Sequence, residues 1–153
     1  FILHHGQVLS TPLLYLSLYF KQNRDEYYRL LDRVRSAGDW EAWLDFFLEG
    51  VEQTATAAVR TAQRLVILFK EDAARIQQLK RAAPSSMRIF DVLRLRPILT
   101  LKEAAGRASL TFPSAAKGMA NLMKLGLVRE LTGRKRNRVF VYDRYLSILN
   151  EGI

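Results

Sequence analysis

The chain has 153 residues, of which 49% are hydrophobic and 25% charged, a composition typical of a globular protein with a sizeable core. It contains no cysteine, which excludes disulfides and thiolate zinc sites. The net charge of +9 is uneven: residues 85–153 carry 13 Lys or Arg against 5 Asp or Glu, whereas residues 1–84 carry 11 against 10. This asymmetry indicates a polyanionic partner for the second half, nucleic acid first and a membrane surface second.

The N-terminal region offers no membrane or export signal. Its longest apolar stretch, Pro12 to Phe20, is far too short to span a bilayer, and no basic segment precedes Phe1. We therefore expect a cytoplasmic protein without a membrane partner. Because the chain starts on an apolar run without methionine, we also expect a fragment that begins inside a helix of a longer protein.

The first half predicts a helical scaffold. Ser10-Thr11-Pro12 is a helix-start pattern, and a second helix over 23–34 should end at Gly38 in the left-handed conformation. Asp39 then caps a long helix, in which apolar residues recur at a helical period from Trp40 and no proline intervenes before Ala83. The polar end of this helix, 70–81, is expected to stand clear of the body. Ala83-Pro84-Ser85-Ser86 should break the helix, which predicts domains 1–83 and 84–153.

The second half predicts shorter elements. Ser85 or Ser86 should cap a helix over 87–95, and 98–100 should be extended. Thr100 and Glu103 form a capping-box pattern for a helix over 101–108, and Thr111 should cap a helix over 112–125. Strands are expected over 127–131 and 139–142, and a last helix over 145–149. The order helix, short strand, helix, turn, helix, hairpin is that of a winged helix-turn-helix, so the predicted fold is mainly α with a small β-hairpin.

In such a motif the second helix enters the major groove of DNA and the hairpin, or wing, touches the backbone or minor groove. The helix 112–125 has an apolar face that leaves polar groups outward, and small residues at 116, 118 and 120 would let it approach DNA closely. The wing, 132–138, concentrates positive charge that can neutralise phosphates. The predicted DNA contacts are Thr111, Ser114, Lys117, Asn121, Lys124, Arg134, Lys135, Arg136 and Arg138.

The basic loop and the winged helix each have an alternative to binding double-stranded DNA. A basic loop is often only a solvated surface, and winged helices also dock proteins. His4 and His5 are neighbours that point about 100° apart on a helix, so no metal site is predicted. The sequence has no glycine-rich phosphate loop, nucleophile elbow or catalytic carboxylate pair. We predict no catalytic residues.

Several runs resemble bacterial Fic-family proteins downstream of their catalytic motif. They are Leu9 to Phe20, Asn23 to Tyr28, Gly38 to Leu48 and Thr132 to Asp143. The resemblance implies a helical Fic-type segment followed by a winged helix. Family members transfer AMP from ATP, with magnesium, through the motif H-x-F-x-[DE]-G-N-G-R-x-x-R, which this sequence lacks. The chain itself is therefore expected to be no enzyme and to hold no cofactor, ATP and magnesium belonging to the catalytic part of a parent chain.

Two functions follow from the resemblance. The first is a DNA-binding regulatory module of a Fic-type protein. The alternative is a non-catalytic part of an AMP-transferase whose winged helix docks protein targets or subunits. The apolar residues Leu13, Leu14, Leu16 and Leu18 would lack their partners without the catalytic part of the chain, which predicts a homodimer through the first two helices and the long helix.

Overall fold

The computed structural model describes residues 16–134 and 136–151 and is mainly helical, with a small three-stranded antiparallel sheet. Contacts divide the chain into two compact units, of which the first runs to Ala62 and the second covers Gln63–Glu151. No helix in the described ranges combines the length and apolar character needed to cross a membrane.

The first unit contains helix α1 (Leu16–Gln22), helix α2 (Arg24–Ala37) and the start of helix α3 (Trp40–Gln77). Gly38 has φ 67°, which confirms the predicted left-handed end of α2. Asp39 accepts a hydrogen bond from the backbone N–H of Ala42 at 3.3 Å, the predicted cap of α3. The helix start predicted at Ser10-Thr11-Pro12 lies outside the described residues.

Aromatic rings form the core of the first unit. Tyr19 and Phe46 are buried with their ring centroids 5.1 Å apart, and Leu30 is buried with them. Gly50 lies under the Tyr19 ring so closely that a Cβ at Gly50 would be 2.5 Å from Tyr19 Cδ1. The glycine therefore allows α1 to pack directly on α3.

The end of α3 differs from the prediction. The helix stops at Gln77, and Lys80 has φ 53°, so the break precedes Pro84 and is left-handed at a lysine. After a 3-10 turn over Lys80–Ala82, helix α4 (Ala83–Leu95) begins with Pro84 in its first turn. Proline fits there because first-turn N–H groups need no partner within the helix. Ser85 and Ser86 consequently lie inside α4 and do not cap it.

The polar end of α3 was expected to stand clear of the body, and this is wrong. Leu68 and Ile76 are buried in the same core cluster as Phe90 of α4. Arg75 donates a hydrogen bond to the carbonyl oxygen of Leu125. Because this part of α3 packs with the second unit, the units divide at 62/63 and not at the predicted 83/84.

After α4, the second unit follows the predicted order of elements. These are strand β1 (Ile98–Thr100), helix α5 (Leu101–Arg107), helix α6 (Phe112–Lys124), strands β2 (Arg129–Glu130) and β3 (Val139–Val141), and helix α7 (Asp143–Glu151). The capping box of Thr100 and Glu103 is present as predicted. The sheet order is β1-β3-β2, and Leu99 and Glu130 flank buried Phe140 on either side.

A buried carboxylate joins α3 to the chain segment after β3. Asp72 has no exposed surface and accepts hydrogen bonds from the Tyr142 hydroxyl at 2.6 Å and from Arg144 Nη1 at 3.0 Å. Burial, followed by this hydrogen bond to Asp72, raises the pKa of Tyr142. This contact links the residues that follow β3 to α3, although the two were predicted to lie in different domains.

Candidate nucleic-acid interface

Helix α6, with Leu125 beyond its end, is the predicted recognition helix 112–125. Thr111 caps it by accepting a hydrogen bond from the Ser114 backbone N–H at 3.4 Å, and the Thr111 hydroxyl donates to Ser114 Oγ at 2.9 Å. Ala115, Met119 and Leu122 are buried, which confirms the predicted apolar face. Thr111 and Ser114 thus fix the start of the helix, and their contact with DNA stays a prediction.

The face of α6 opposite the core is exposed and carries two ammonium groups. Pro113, Lys117, Ala120 and Lys124 are all exposed, at spacings of four, three and four residues that place them on one side of a helix. Two lysines separated by small side chains can both reach phosphate oxygens on a flat approach to the duplex.

Asn121 was predicted to face DNA, and its amide is engaged elsewhere. Asn121 Nδ2 donates a hydrogen bond at 3.2 Å to Ser86 Oγ, and the Ser86 hydroxyl donates at 2.9 Å to the carbonyl oxygen of Ala82. Ser86 is fully buried and Asn121 is half-buried. Asn121 therefore links α6 to α4, and its side chain is not free on the outer face of the helix as predicted; its contact with DNA stays a prediction.

We expect Asn121→Ala to lower the free energy of unfolding by about 1 kcal/mol, because it removes a hydrogen bond to a buried hydroxyl. Urea denaturation followed by circular dichroism measures this loss. Lys117→Ala is the matched control, since Lys117 is exposed on the same helix and its loss should change stability by less than about 0.5 kcal/mol. Equal stability of the two variants would contradict a stabilising hydrogen bond between Asn121 and Ser86.

Gly118 also turns toward α4. A Cβ at this position would be 3.1 Å from the carbonyl oxygen of Ser85 and 3.3 Å from Ile89 Cγ1. The small residue predicted to let the helix approach DNA instead lets α6 approach α4. Ala120, which is exposed, is the small residue that remains on the outer face.

The hairpin loop, residues 131–138, has a fixed base and an exposed tip. Arg134 and Arg136 are exposed, whereas Lys135 lies outside the described residues. Arg138 is half-buried, with its guanidinium carbon 5.0 Å from the Phe140 ring centroid and Nη2 3.8 Å from Glu130 Oε2. Arg138 therefore stabilises the base of the hairpin. Its predicted contact with DNA would be an additional role.

Glu130 also stabilises the base of the hairpin. Its carboxylate accepts hydrogen bonds from the Thr132 hydroxyl at 2.5 Å and from the Thr132 backbone N–H at 3.2 Å. The hydrogen bond from the Thr132 side chain is the main cause that lowers the pKa of Glu130. A carboxylate held in this way keeps Arg138 partly neutralised and leaves Arg134 and Arg136 as the exposed cations among the described residues of the loop.

Arg88 of α4 has a structural contact that its sequence neighbours do not predict. Its Nη2 donates at 3.1 Å to the carbonyl oxygen of Ser109, in the turn between α5 and α6. Ser109 has φ 50°, so the arginine supports a left-handed turn at a residue other than glycine. No local pattern around Arg88 could have indicated a contact with a turn that lies 21 residues further along the chain.

The described residues offer no metal centre, because no group of three or more His, Asp or Glu side chains lies close enough to share an ion. A cavity of about 410 Å³ lies in the first unit, lined in part by Glu26, Arg29 and Phe46. Arg29 pairs with Glu26 at 2.5 Å. All of its lining residues belong to the first unit.

The fold and the surface define a mainly helical protein with a small antiparallel sheet and a basic helix–hairpin face. No family model matches the chain. Among solved structures, the chain is similar to NadR, described in complex with 4-hydroxyphenylacetate, with a TM-score of 0.35 and 23% sequence identity. The match covers 61% of this chain, which spans 66% of the length of that one. The family is thus left open, and the resemblance to Fic proteins stays a prediction.

Proposed function

We propose that the second unit is a winged helix-turn-helix that binds double-stranded DNA, with α6 in the major groove and the hairpin loop on the backbone. The observation that carries the proposal is the placement of exposed cations on the outer face of α6 and at the tip of the loop. These cations are Lys117, Lys124, Arg134 and Arg136. In a winged helix both places lie against the duplex.

The charge of each unit supports a polyanionic partner. Residues 63–151 contain 18 Lys or Arg and 7 Asp or Glu, a net charge of +11. Residues 1–62 contain 6 and 8, a net charge of −2. The division observed in the structure thus sharpens the asymmetry seen along the sequence, and all of the excess positive charge belongs to the unit that carries α6 and the hairpin.

The pattern of ion pairs separates structural cations from the proposed DNA contacts. Arg129 binds Asp143 through two hydrogen bonds of 2.6 and 3.0 Å, and Arg144 binds buried Asp72. Lys117, Lys124, Arg134 and Arg136 form no ion pair with any residue in the described ranges. Their charge is therefore available for phosphates at little cost in broken contacts.

The test is fluorescence anisotropy with a labelled random duplex, measured over a range of salt concentrations. We expect micromolar binding that weakens steeply with salt, because each phosphate contact releases counterions. Arg134→Ala combined with Arg136→Ala should make the slope of log affinity against log salt shallower by about 2, since each phosphate contact contributes roughly 0.9. The matched control combines Lys21→Ala with Arg35→Ala, which removes the same charge from exposed positions in the first unit.

A slope that changes equally in both double variants would contradict the hairpin contact. Absence of binding at low salt would reject the DNA function and favour the alternative, a module that docks a protein. In that alternative the chain is the non-catalytic part of an AMP-transferase. Lys117→Ala combined with Lys124→Ala, measured in the same way, tests the contact of α6 separately from that of the loop.

A further inference from the structure

Helix α3 exposes an apolar stripe. Leu44 is 51% exposed, Leu48 is 59%, Val59 is 55% and Val66 is 66%. Large apolar side chains left in water on one line of a helix usually mark a surface for another protein. The stripe (Leu44, Leu48, Val51, Ala55, Val59, Ala62 and Val66) follows spacings of three or four residues, and it spans roughly 33 Å at 1.5 Å per residue.

The stripe is symmetric about Ala55. Leu44 and Val66 lie eleven positions on either side of Ala55, Leu48 and Ala62 lie seven, and Val51 and Val59 lie four. If two copies of α3 ran antiparallel and crossed at Ala55, each of these pairs would face each other. The residues Thr54 to Ala58 at the crossing are small, so the two helices could approach closely there.

The charges along α3 are arranged for the same pairing. Residues 40–53 contain four acidic residues and no basic one, and residues 54–70 contain three basic residues and no acidic one. The charged positions also mirror one another about Ala55. Glu49 lies six positions before Ala55 and Arg60 lies five positions after it. In the same way, Asp45 and Arg64 lie ten before and nine after, and Glu41 and Lys70 lie fourteen before and fifteen after. An antiparallel pair sets each acidic end against a basic end, whereas a parallel pair sets like charges together.

We propose that a second copy of this chain covers the stripe, and that two α3 helices pair antiparallel about a two-fold axis near Ala55. Such an interface is isologous, since the same patch serves both subunits. A place in the dimer interface was also predicted for the first helix. Leu16 of this helix packs against the core of the first unit instead. Leu13 and Leu14 lie outside the described residues. At 100° per residue, Glu41 and Lys70 lie within roughly 60° of the stripe, whereas Glu49, Arg60 and Arg64 point away from it. Arg64 also contacts Glu151 at 2.5 Å within the chain, so Glu41 with Lys70 is the strongest interchain pair.

The dimer is tested by sedimentation equilibrium of the whole chain. We expect a dimer at micromolar concentration that dissociates at least tenfold more readily when Leu48→Gln and Val59→Gln are combined. The matched control combines Leu95→Gln with Leu131→Gln, exposed apolar residues away from α3 that should leave the dimer unchanged. Circular dichroism of both double variants verifies that the helices remain folded. A monomer at 100 µM, or a dimer that neither double variant weakens, would overturn the proposal.

The orientation is tested by disulfide trapping, which the absence of native cysteine makes clean. A mixture of Leu48→Cys and Ala62→Cys chains should form a crosslinked heterodimer under mild oxidation, and Leu48→Cys alone should crosslink far less. Crosslinking of Leu48→Cys with itself in preference to the mixture would show a parallel pair and contradict the proposal. Both measurements are made without DNA, so their failure is distinct from failure of the proposed DNA binding.

Discussion

Replacing Asp72 by Ala is expected to lower the free energy of unfolding of the second unit by about 3 kcal/mol. The substitution leaves the buried Tyr142 hydroxyl without its acceptor and opens a space where the carboxylate was. Arg144 and Arg75, the other two partners, are 49% and 44% exposed at their side chains, so water can replace Asp72 for them. The loss should therefore come mainly from the tyrosine and from packing.

Urea denaturation of the single variants and of the double variant measures this effect. Tyr142→Phe removes the hydroxyl and keeps the ring, so the Asp72–Tyr142 double-mutant cycle should give a coupling energy of about 1–3 kcal/mol. The matched control is Asp91→Ala, because Asp91 also lies one turn before an arginine but is exposed. Its loss should cost less than about 1 kcal/mol. A loss at Asp72 no larger than at Asp91 would mean that the buried contact contributes little.

Local patterns in the sequence predicted the starts of α5 and α6 correctly. Thr100 with Glu103 and Thr111 with the Ser114 N–H are contacts between residues three apart, so their geometry follows from the chain itself. Gly38 likewise adopts the left-handed conformation that glycine favours at a helix end. Pro84 shows the limit of such patterns, because a proline suits both the end of one helix and the first turn of the next.

The errors concern contacts between residues far apart along the chain. Asn121 and Ser86 are 35 positions apart, and Asp72 and Tyr142 are 70 apart. Periodicity identifies the buried face of α6, but it cannot tell whether a half-buried amide points to solvent or to a neighbouring helix. The division of the compact units at 62/63 was not predicted for the same reason, since the polar composition of 70–81 conceals that Asp72 and Ile76 are buried.

Gly118→Val is the substitution that best shows whether Gly118 allows α6 to pack against α4 or to approach DNA. The valine Cβ would lie about 3.1 Å from the Ser85 carbonyl oxygen, and its methyl groups would press on Ile89 and on the backbone of α4. Backbone atoms cannot rotate away as a flexible side chain can, so α6 would have to move off α4. We expect the free energy of unfolding to fall by about 2–3 kcal/mol, the usual cost of overpacking a tight contact.

The matched control is Ala120→Val, on the exposed face of the same helix, two positions further along. It introduces the same β-branched side chain, which should cost less than about 1 kcal/mol through helix propensity alone. If Gly118 served close approach to DNA, Gly118→Val would keep its stability and lose DNA affinity. From the packing of Gly118 against α4 we expect the reverse: Gly118→Val loses stability, whereas Ala120→Val keeps the fold and, if α6 binds DNA as proposed, weakens that binding.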